Sequence, residues 1–205
     1  MTDETVMDRE RFLLVSVSTA DAPAATRVRV WRKLRSLGAL YLQQSVCLVP
    51  DREPVRRQVA RLLASVRADG GTVRRLTVDI AGGADHAQLV AEFNAGRDAE
   101  YGEVAERAPE LVAELEMETA RGNATYAEVE ESEADLERFE RWLAKIAARD
   151  YFHAAGGEAA RRAVARCRGA LAAFEDAALA AQAGGYPAAG EPAQLPASAR
   201  LGAVD

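Results

Sequence analysis

Residue types that build metal centres and redox sites are scarce in this sequence. It contains two cysteines and two histidines in 205 residues. Cys47 and Cys167 form no CxxC pair, so we expect two reduced, buried thiols in a cytoplasmic protein. With His86 and His153 as the only histidines, we expect no structural zinc site. The sequence also contains no P-loop and no GxGxxG motif, and we expect no cofactor.

Long apolar runs and aromatic residues are also scarce. No run approaches the roughly 20 residues that a membrane-spanning helix needs. The first residues lack the basic, apolar and small-residue order of a secretory signal peptide. We therefore expect a protein without a membrane partner. Aromatic residues make up 6% of the chain against 49% for all hydrophobic residues, which predicts a core built mainly from Leu, Val and Ala.

The net charge of −6 hides a strong segregation of charge along the chain. Residues 26–75 carry twelve Lys and Arg against three acidic residues, a balance of +9. Residues 85–140 carry four Arg against seventeen acidic residues, a balance of −13. The basic half is suited to bind phosphate groups, or to bind the acidic half in the same molecule or in a partner.

Strand and helix patterns alternate over the first 80 residues. In chain order they predict a strand at 12–18, a helix at 26–37, a hairpin at 39–49, a helix that Asp51 caps and Gly70-Gly71 ends, and a strand at 72–80. The order β-α-β-β-α-β is that of the ferredoxin-like split βαβ unit, an antiparallel sheet with two helices on one face. The predicted class is therefore α+β.

Apolar residues at helical spacing define the expected core faces of these two helices. Val30, Trp31, Leu34 and Leu37 fall on one arc of the first helix at about 100° per residue. The second helix repeats apolar residues at Val55, Val59, Leu62, Leu63 and Val66.

From Asp85 onward the pattern is almost wholly helical. One segment covers residues 87–120, with a break predicted at Pro109, and Thr125 is placed to cap the next helix. The last two helices carry apolar seams at 3-4 spacing: Val129, Ser132, Leu136, Phe139, Leu143 and Ile146, then Val164, Cys167, Leu171, Phe174 and Ala178. The predicted organisation is a flexible N-terminus at 1–10, a ferredoxin-like domain at 11–81, an acidic helical domain at 85–183 and a disordered tail at 184–205.

Cationic side chains on the two helices of the basic half are the first candidate site. Nucleic-acid binding gathers such side chains on one surface, where they displace counterions from phosphates. The candidates are Arg29, Arg32, Lys33, Arg35, Arg56, Arg57 and Arg61. The alternatives are a solvated face and a docking face for the acidic helices, and neither interleaved aromatics nor a helix-turn-helix pattern favours DNA.

Carboxylates of the acidic half are the second candidate. Glu128, Glu131 and Asp135 share one predicted helix face, and Mg²⁺-dependent phosphodiester chemistry would use such groups. Acid-rich helix faces are usually solvated, and hard cations need ligands from several elements, so we expect no metal site here. Asp150 and His153 are three residues apart, which favours a helix end with a capping histidine over a catalytic pair.

Three stretches together resemble the N-terminal region of the chromate-resistance regulator ChrB: FLLVSVS at 12–18, VWRKLRSLGALYLQQSVCLVPDRE at 30–53 and TYAEVEESEADLERFERWLAKIAARDYF at 125–152. The resemblance covers residues 10–180. It implies a ferredoxin-like domain similar to the small CRISPR-associated nuclease fold and to the central domain of PaaX-type repressors. It also implies a part in chromate-responsive transcription control.

Two departures from the relatives limit what the resemblance implies. Full-length relatives carry a further C-terminal domain associated with chromate sensing, whereas residues 184–205 are rich in Pro, Ala and Gly, so we do not expect chromate binding. The related nucleases place a metal-binding Asp at the end of the first strand. Here that stretch is Val15-Ser16-Val17-Ser18, and the nearest acid, Asp21, lies in the loop, so we do not expect nuclease activity.

We interpret the chain as a ChrB-like regulator without catalytic activity that binds DNA and forms a homodimer through its sheet edge. The alternatives are a Mg²⁺-dependent nuclease of the ferredoxin-like type and a non-catalytic scaffold for protein interactions.

Overall fold

A computed structural model describes residues 10–185 of the chain. The elements are β1 (Phe12–Ser18), α1 (Ala24–Ser36), β2 (Leu40–Gln43), β3 (Val46–Pro50), α2 (Glu53–Ala68), β4 (Thr72–Val78), α3 (Gly83–Ala120), α4 (Tyr126–Ala147) and α5 (Gly156–Gly185). The predictions of a flexible N-terminus and a disordered tail fall almost entirely outside the described residues. Within them, α5 continues to Gly185, which lies inside the range predicted as tail.

The four strands form one antiparallel sheet in the order β2-β3-β1-β4. β1 lies in the interior, where Val15 pairs with Cys47 of β3 on one side and with Arg75 of β4 on the other. α1 and α2 each connect strands that are not neighbours, so both helices cross the sheet on the same face. This is the predicted βαββαβ arrangement, and the α+β class is confirmed.

The sheet face beneath α1 and α2 is apolar because alternate residues of each strand point toward the helices. Leu13, Val15 and Val17 of β1 are at most 8% exposed. They belong to one buried cluster with the stripe predicted for α2 and with three of the residues predicted for the first helix, Val30, Leu34 and Leu37. Burial of each such side chain contributes about 1.5–3 kcal/mol, so this cluster holds both helices on the sheet.

The opposite face of the sheet is covered at one end by α3. Phe12 of β1 and Leu48 of β3 form a buried cluster with Leu89 and Phe93 from the first turns of α3. The Phe12 and Phe93 rings stack with their centroids 5.9 Å apart, and the ring of Phe152 lies 5.3 Å from that of Phe93. The helical region therefore docks on the face of the sheet that α1 and α2 leave free.

α3 runs without interruption for 38 residues, so the predicted break at Pro109 is wrong. A proline inside a helix removes one hydrogen bond and costs about 3 kcal/mol. Pro109 lies on the exposed side of α3, while Val104, Ala108 and Leu111 around it are buried in the cluster that α3 shares with α4 and α5. This packing on both sides of the proline offsets its local cost.

α4 and α5 complete a helical unit with α3. The seam predicted for α5 is buried in full, and four residues of the α4 seam are buried beside it: Val129, Leu136, Phe139 and Ile146. The other two, Ser132 and Leu143, are half-buried. Thr125 caps α4 as predicted, because its hydroxyl oxygen accepts a 3.4 Å hydrogen bond from the backbone N–H of Glu128.

The start of α2 differs from the prediction. The N-cap of α2 is Arg52, not Asp51. The Asp51 carboxylate, whose side chain is 4% exposed, instead accepts a 2.8 Å hydrogen bond from Nε of Arg56. The guanidinium outcompetes the backbone N–H groups for this carboxylate because a bond between two charged groups is stronger than one with a single charge.

Candidate nucleic-acid interface

α1 places two of its predicted cationic residues at the seam with α2. Arg29 forms an ion pair with the carboxylate of Asp69, just beyond the C-terminus of α2. The buried hydroxyl of Thr26 donates a 2.7 Å hydrogen bond to the same carboxylate oxygen. These two donors, Thr26 first, lower the pKa of Asp69. Lys33 donates a 2.6 Å hydrogen bond to Oε1 of Gln58 on α2, so Arg29 and Lys33 bridge the two helices.

α2 holds one of its predicted arginines close to the local acids. Arg56 donates to Asp51 and lies 3.1 Å from Oε2 of Glu53. These carboxylates, Asp51 first, raise the pKa of the Arg56 guanidinium. Arg57, whose side chain is 65% exposed, makes a looser pair of 3.5 Å with Glu53. Such an exposed pair contributes little to stability and leaves the Arg57 guanidinium accessible.

Four arginines point away from the core on the outer sides of the two helices. They are Arg32 and Arg35 of α1 and Arg57 and Arg61 of α2, and we call them the outer arginines. At 3.6 residues per turn their positions lie opposite the buried stripes of their helices. All four are exposed. Within residues 10–185, Arg32 and Arg61 make no ion pair, so their charges are uncompensated by a direct partner.

The Trp31 side chain is 48% exposed, so its predicted place in the core is wrong. Its position follows Val30 by about 100° around the helix, which carries it past the edge of the stripe that meets the sheet. The guanidinium of Arg35 lies 5.3 Å from the Trp31 ring centroid, at the distance of a cation–π contact. Together with Tyr41, which is 36% exposed, Trp31 places an aromatic surface beside the outer arginines.

The seven predicted cationic side chains do not contact the acidic helices in the part of the chain that the structure describes. Their ionic and hydrogen-bond partners are Asp51, Glu53, Gln58 and Asp69, all within the basic half. α3 lies against the other face of the sheet. The structure therefore brings the basic residues together on a solvent-facing surface that the acidic helices of the same molecule leave open.

A polar junction, which the sequence patterns did not reveal, joins the helical region to the end of α1. Glu100 of α3 lies 3.0 Å from Nη1 of Arg149 and 3.1 Å from Nε of Arg97. Burial lowers the pKa of the Arg97 guanidinium, although Glu100 acts in the opposite direction. The hydroxyl of Tyr151 donates a 2.8 Å hydrogen bond to the carbonyl of Leu37. A run of charged and aromatic residues at the end of α4 was the available signal.

The other candidate residues are not assembled into a site. Cys47 is 1% exposed, and burial raises the pKa of its thiol to about 12, as expected of a core cysteine. Asp150 accepts hydrogen bonds from the Tyr101 hydroxyl at 3.2 Å and from the Ala154 N–H at 2.9 Å. His153 is exposed and has a left-handed backbone with φ of 59°.

The predicted carboxylate face of α4 also forms no cluster. Asp135 pairs with Arg138 at 2.8 Å, one turn along the same helix. Over residues 10–185, no three His, Cys, Asp or Glu side chains lie close enough together to hold a metal ion. Across the same residues, no helix is both long and apolar enough to cross a membrane.

A family model described as the N-terminal region of the protein ChrB matches residues 27–184, from α1 to the end of α5. The chain belongs to the ChrB N-terminal family. The protein ChrB of Cupriavidus metallidurans is 30% identical over 92 residues, which cover 45% of this chain and 28% of that relative. The chain therefore matches less than a third of the length of that ChrB protein, while the family match spans both the basic and the acidic halves.

Proposed function

We propose that this chain is a regulatory protein associated with chromate resistance, and that it acts by binding duplex DNA without catalysis. The link to chromate resistance rests on membership of the ChrB N-terminal family and on its likeness to the ChrB protein of Cupriavidus metallidurans. DNA binding rests on one structural observation, the exposed row of outer arginines on α1 and α2. Because the sequence has no helix-turn-helix pattern that would present these cations to base edges, the main contacts of this surface are expected with phosphates.

The charge balance of the surface supports phosphate binding. The seven predicted cations share their surface with three carboxylates, Asp51, Glu53 and Asp69. Those carboxylates pair with Arg29, Arg56 and Arg57. Lys33 contacts a neutral amide, and Arg35 contacts an aromatic ring. The surface therefore keeps a net positive charge, which favours an anionic polymer over a neutral partner.

Salt-dependent binding to a duplex of mixed sequence tests the proposal. The affinity of the full chain should fall steeply between about 50 and 200 mM salt, because each phosphate contact releases condensed counterions. The double variant Arg57→Glu/Arg61→Glu should bind more weakly and lower the slope of log affinity against log salt by about 2, or roughly 0.9 per lost contact. The matched control is Arg141→Glu/Arg166→Glu, which reverses two exposed arginines on α4 and α5.

Two outcomes would contradict the proposal. The proposal would be wrong if the wild-type protein failed to bind duplex DNA at low salt. It would also be wrong if the Arg57/Arg61 variant lost no more affinity than the Arg141/Arg166 control. Cleavage of a plasmid with Mg²⁺ that EDTA suppresses would instead favour the nuclease alternative, and loss of that cleavage in Glu131→Gln would place the chemistry on α4.

We also propose that the chain forms a homodimer through an edge of its sheet. β2 and β4 are the two edge strands, and β4 is the longer, with seven residues against four. Arg74 and Arg75 lie in the middle of β4. If two copies pair through β4, these arginines of one copy face those of the other, and like charges oppose the pairing. We therefore expect the dimer to weaken at low salt, and sedimentation equilibrium at two salt concentrations measures this. A monomer at every concentration would contradict the dimer.

A further inference from the structure

A cavity of about 810 Å³ opens between α1 and the β2 edge of the sheet, on the side of α1 away from α2. Its apolar lining includes Val17, Val30, Leu34 and Cys47, which are all buried in the core of the sheet domain. The volume lies within the range of about 300–1,000 Å³ that small-molecule sites occupy. A ligand in this cavity would therefore rest on the rigid floor of the domain.

Two accessible aromatic rings line the cavity. Trp31 of α1 is 48% exposed and Tyr41 of β2 is 36% exposed, and both contribute to the cavity wall. Aromatic residues are scarce in this chain, and most contacts between its rings lie within buried clusters. Large rings left in contact with solvent beside a concave surface are the side chains that stack on planar ligands.

The rim of the cavity is cationic. Arg27 and Arg32 lie at the rim, and the side chain of Thr19 accepts a 3.4 Å hydrogen bond from Nε of Arg27. Ser45 also lines the cavity, and a serine hydroxyl can donate to an anion. Among the described residues, no Asp or Glu lines the cavity. The site therefore offers donors and positive charge without an opposing carboxylate.

The Tyr41 hydroxyl and the Cys47 thiol, which both line the cavity, keep their protons at neutral pH. Burial, with a smaller effect from Cys47, raises the pKa of the Tyr41 hydroxyl to about 12. Burial also raises the pKa of the Cys47 thiol to about 12. Neither group adds negative charge at neutral pH, so the arginines determine the sign of the potential in the cavity.

We propose that this cavity binds a nucleotide, with the base stacked on Trp31 and Tyr41 and the phosphate held by Arg27 and Arg32. An aromatic ring system joined to an anion is the chemistry that this combination of walls and rim accommodates. Both a free mononucleotide and an unpaired nucleotide of a single strand have that chemistry. The site shares Arg32 with the outer arginines, but the two outer arginines of α2, Arg57 and Arg61, do not line it.

Tryptophan fluorescence tests the site directly. The chain has two tryptophans, so Trp142→Phe in the full chain leaves Trp31 as the single reporter. Titration of this protein with adenosine monophosphate should quench the Trp31 emission in a saturable manner. In the same background, Tyr41→Ser and Arg27→Gln should each weaken binding by about tenfold, the effect of losing one stacking or charged contact. The matched controls are Tyr126→Ser and Arg141→Gln, which alter an exposed tyrosine and arginine on α4.

Three ligands distinguish the sources of the nucleotide. Mononucleotide binding that is sensitive to Tyr41→Ser and Arg27→Gln supports a free ligand. Binding of a single-stranded decanucleotide alone, with the same sensitivity, supports an unpaired base. The nucleotide proposal is overturned if neither the mononucleotide nor the decanucleotide quenches Trp31, or if the variants and their controls bind equally. This holds whether or not the protein binds duplex DNA. Duplex binding that depends on Arg57 and Arg61 but not on Tyr41 reports the separate surface, so the two proposals fail independently.

Discussion

The hydroxyl of Tyr151 donates a 2.8 Å hydrogen bond to the backbone carbonyl of Leu37. Tyr151 lies in the connection between α4 and α5, and Leu37 is the C-cap of α1. A single side chain of the helical region thus satisfies a carbonyl that the end of a helix leaves without an intrahelical partner. The acidic helices hold the basic domain through the end of α1, while the outer arginines of the same helix stay accessible.

Removing the Tyr151 hydroxyl should destabilise the protein. For Tyr151→Phe we expect the free energy of unfolding to fall by about 1 kcal/mol, because the ring still packs but the Leu37 carbonyl loses its donor. Urea denaturation followed by circular dichroism measures the change. Tyr126→Phe is the control, since Tyr126 is 47% exposed, and it should leave the midpoint unchanged. Equal midpoints for the two variants would show that the bond is dispensable.

Gly38 packs tightly against the polar junction. Its backbone has a left-handed φ of 68°, and a Cβ atom built there would lie 2.8 Å from Nη1 of Arg97 and 3.1 Å from Cβ of Arg149. Gly38→Ala should therefore cost the strain of a left-handed alanine, about 1–2 kcal/mol, and in addition displace Arg97 from Glu100.

Gly122 offers a matched control for this substitution. It has a similar φ of 73°, but a Cβ atom there would meet none of the described residues within 4 Å. Gly122→Ala should show the backbone strain alone. Chemical denaturation of both variants should therefore place Gly38→Ala below Gly122→Ala in stability. The reverse order would mean that the junction adapts to the added methyl group without cost.

The Asp69 carboxylate should make stability depend on pH in the acid range. Hydrogen bonds from Thr26 and Arg29 lower its pKa in the folded protein, so the folded state binds the proton less readily than the unfolded chain. The resulting stabilisation is present above the unfolded pKa of about 3.9 and is lost as the pH falls through the lower folded value. Urea midpoints of wild type and Asp69→Asn should therefore differ at pH 6 and converge toward pH 2.

An exposed carboxylate elsewhere provides the reference for that experiment. Asp176→Asn removes a negative charge from an exposed residue of α5. Within residues 10–185, Asp176 has no ion pair and no side-chain hydrogen bond like those that Arg29 and Thr26 make with Asp69. The midpoint of this variant should follow that of wild type at every pH. If Asp69→Asn also followed wild type from pH 6 to pH 2, the bridge between α1 and α2 would carry no weight in stability.

The sheet domain was predictable because its signals are local. The apolar run of β1, the apolar stripe of α2 and the Gly70-Gly71 pair after α2 each act within a few residues, and they agree with one another. Gly70 has the positive φ that is common just after the end of a helix. The seam of α5 was predictable for the same reason, since helical spacing alone defines which side is buried.

The remaining features depend on which elements meet in space. Trp31 is exposed because the sheet beneath α1 ends at β2, and the helical pattern does not contain that boundary. Pro109 stays inside α3 because two other helices pack along it. Arg29 pairs with Asp69 only because α2 ends beside the first turns of α1. The basic candidates were found by charge, but their division into a seam and an outer surface required the fold.

The buried Cys47 thiol should make the protein less stable in mildly alkaline solution. Burial raises its pKa to about 12 in the folded protein, whereas an unfolded cysteine ionises near pH 8.5. The unfolded chain therefore releases the proton first. The contribution of the neutral thiol is complete below the unfolded pKa and declines as the pH rises toward the folded value, by up to about 1.4 kcal/mol per pH unit.

Comparison of wild type with Cys47→Ala between pH 8 and pH 10 isolates this contribution. The variant should be less stable at pH 8, because it leaves a gap beside Val15 and Val49 in the core. Its stability should then fall less steeply with pH than that of wild type, so the two denaturation midpoints approach each other by pH 10. Cys167→Ala tests the second buried thiol, whose pKa burial also raises. Parallel pH profiles for wild type and Cys47→Ala would show that water reaches the Cys47 thiol in the folded protein.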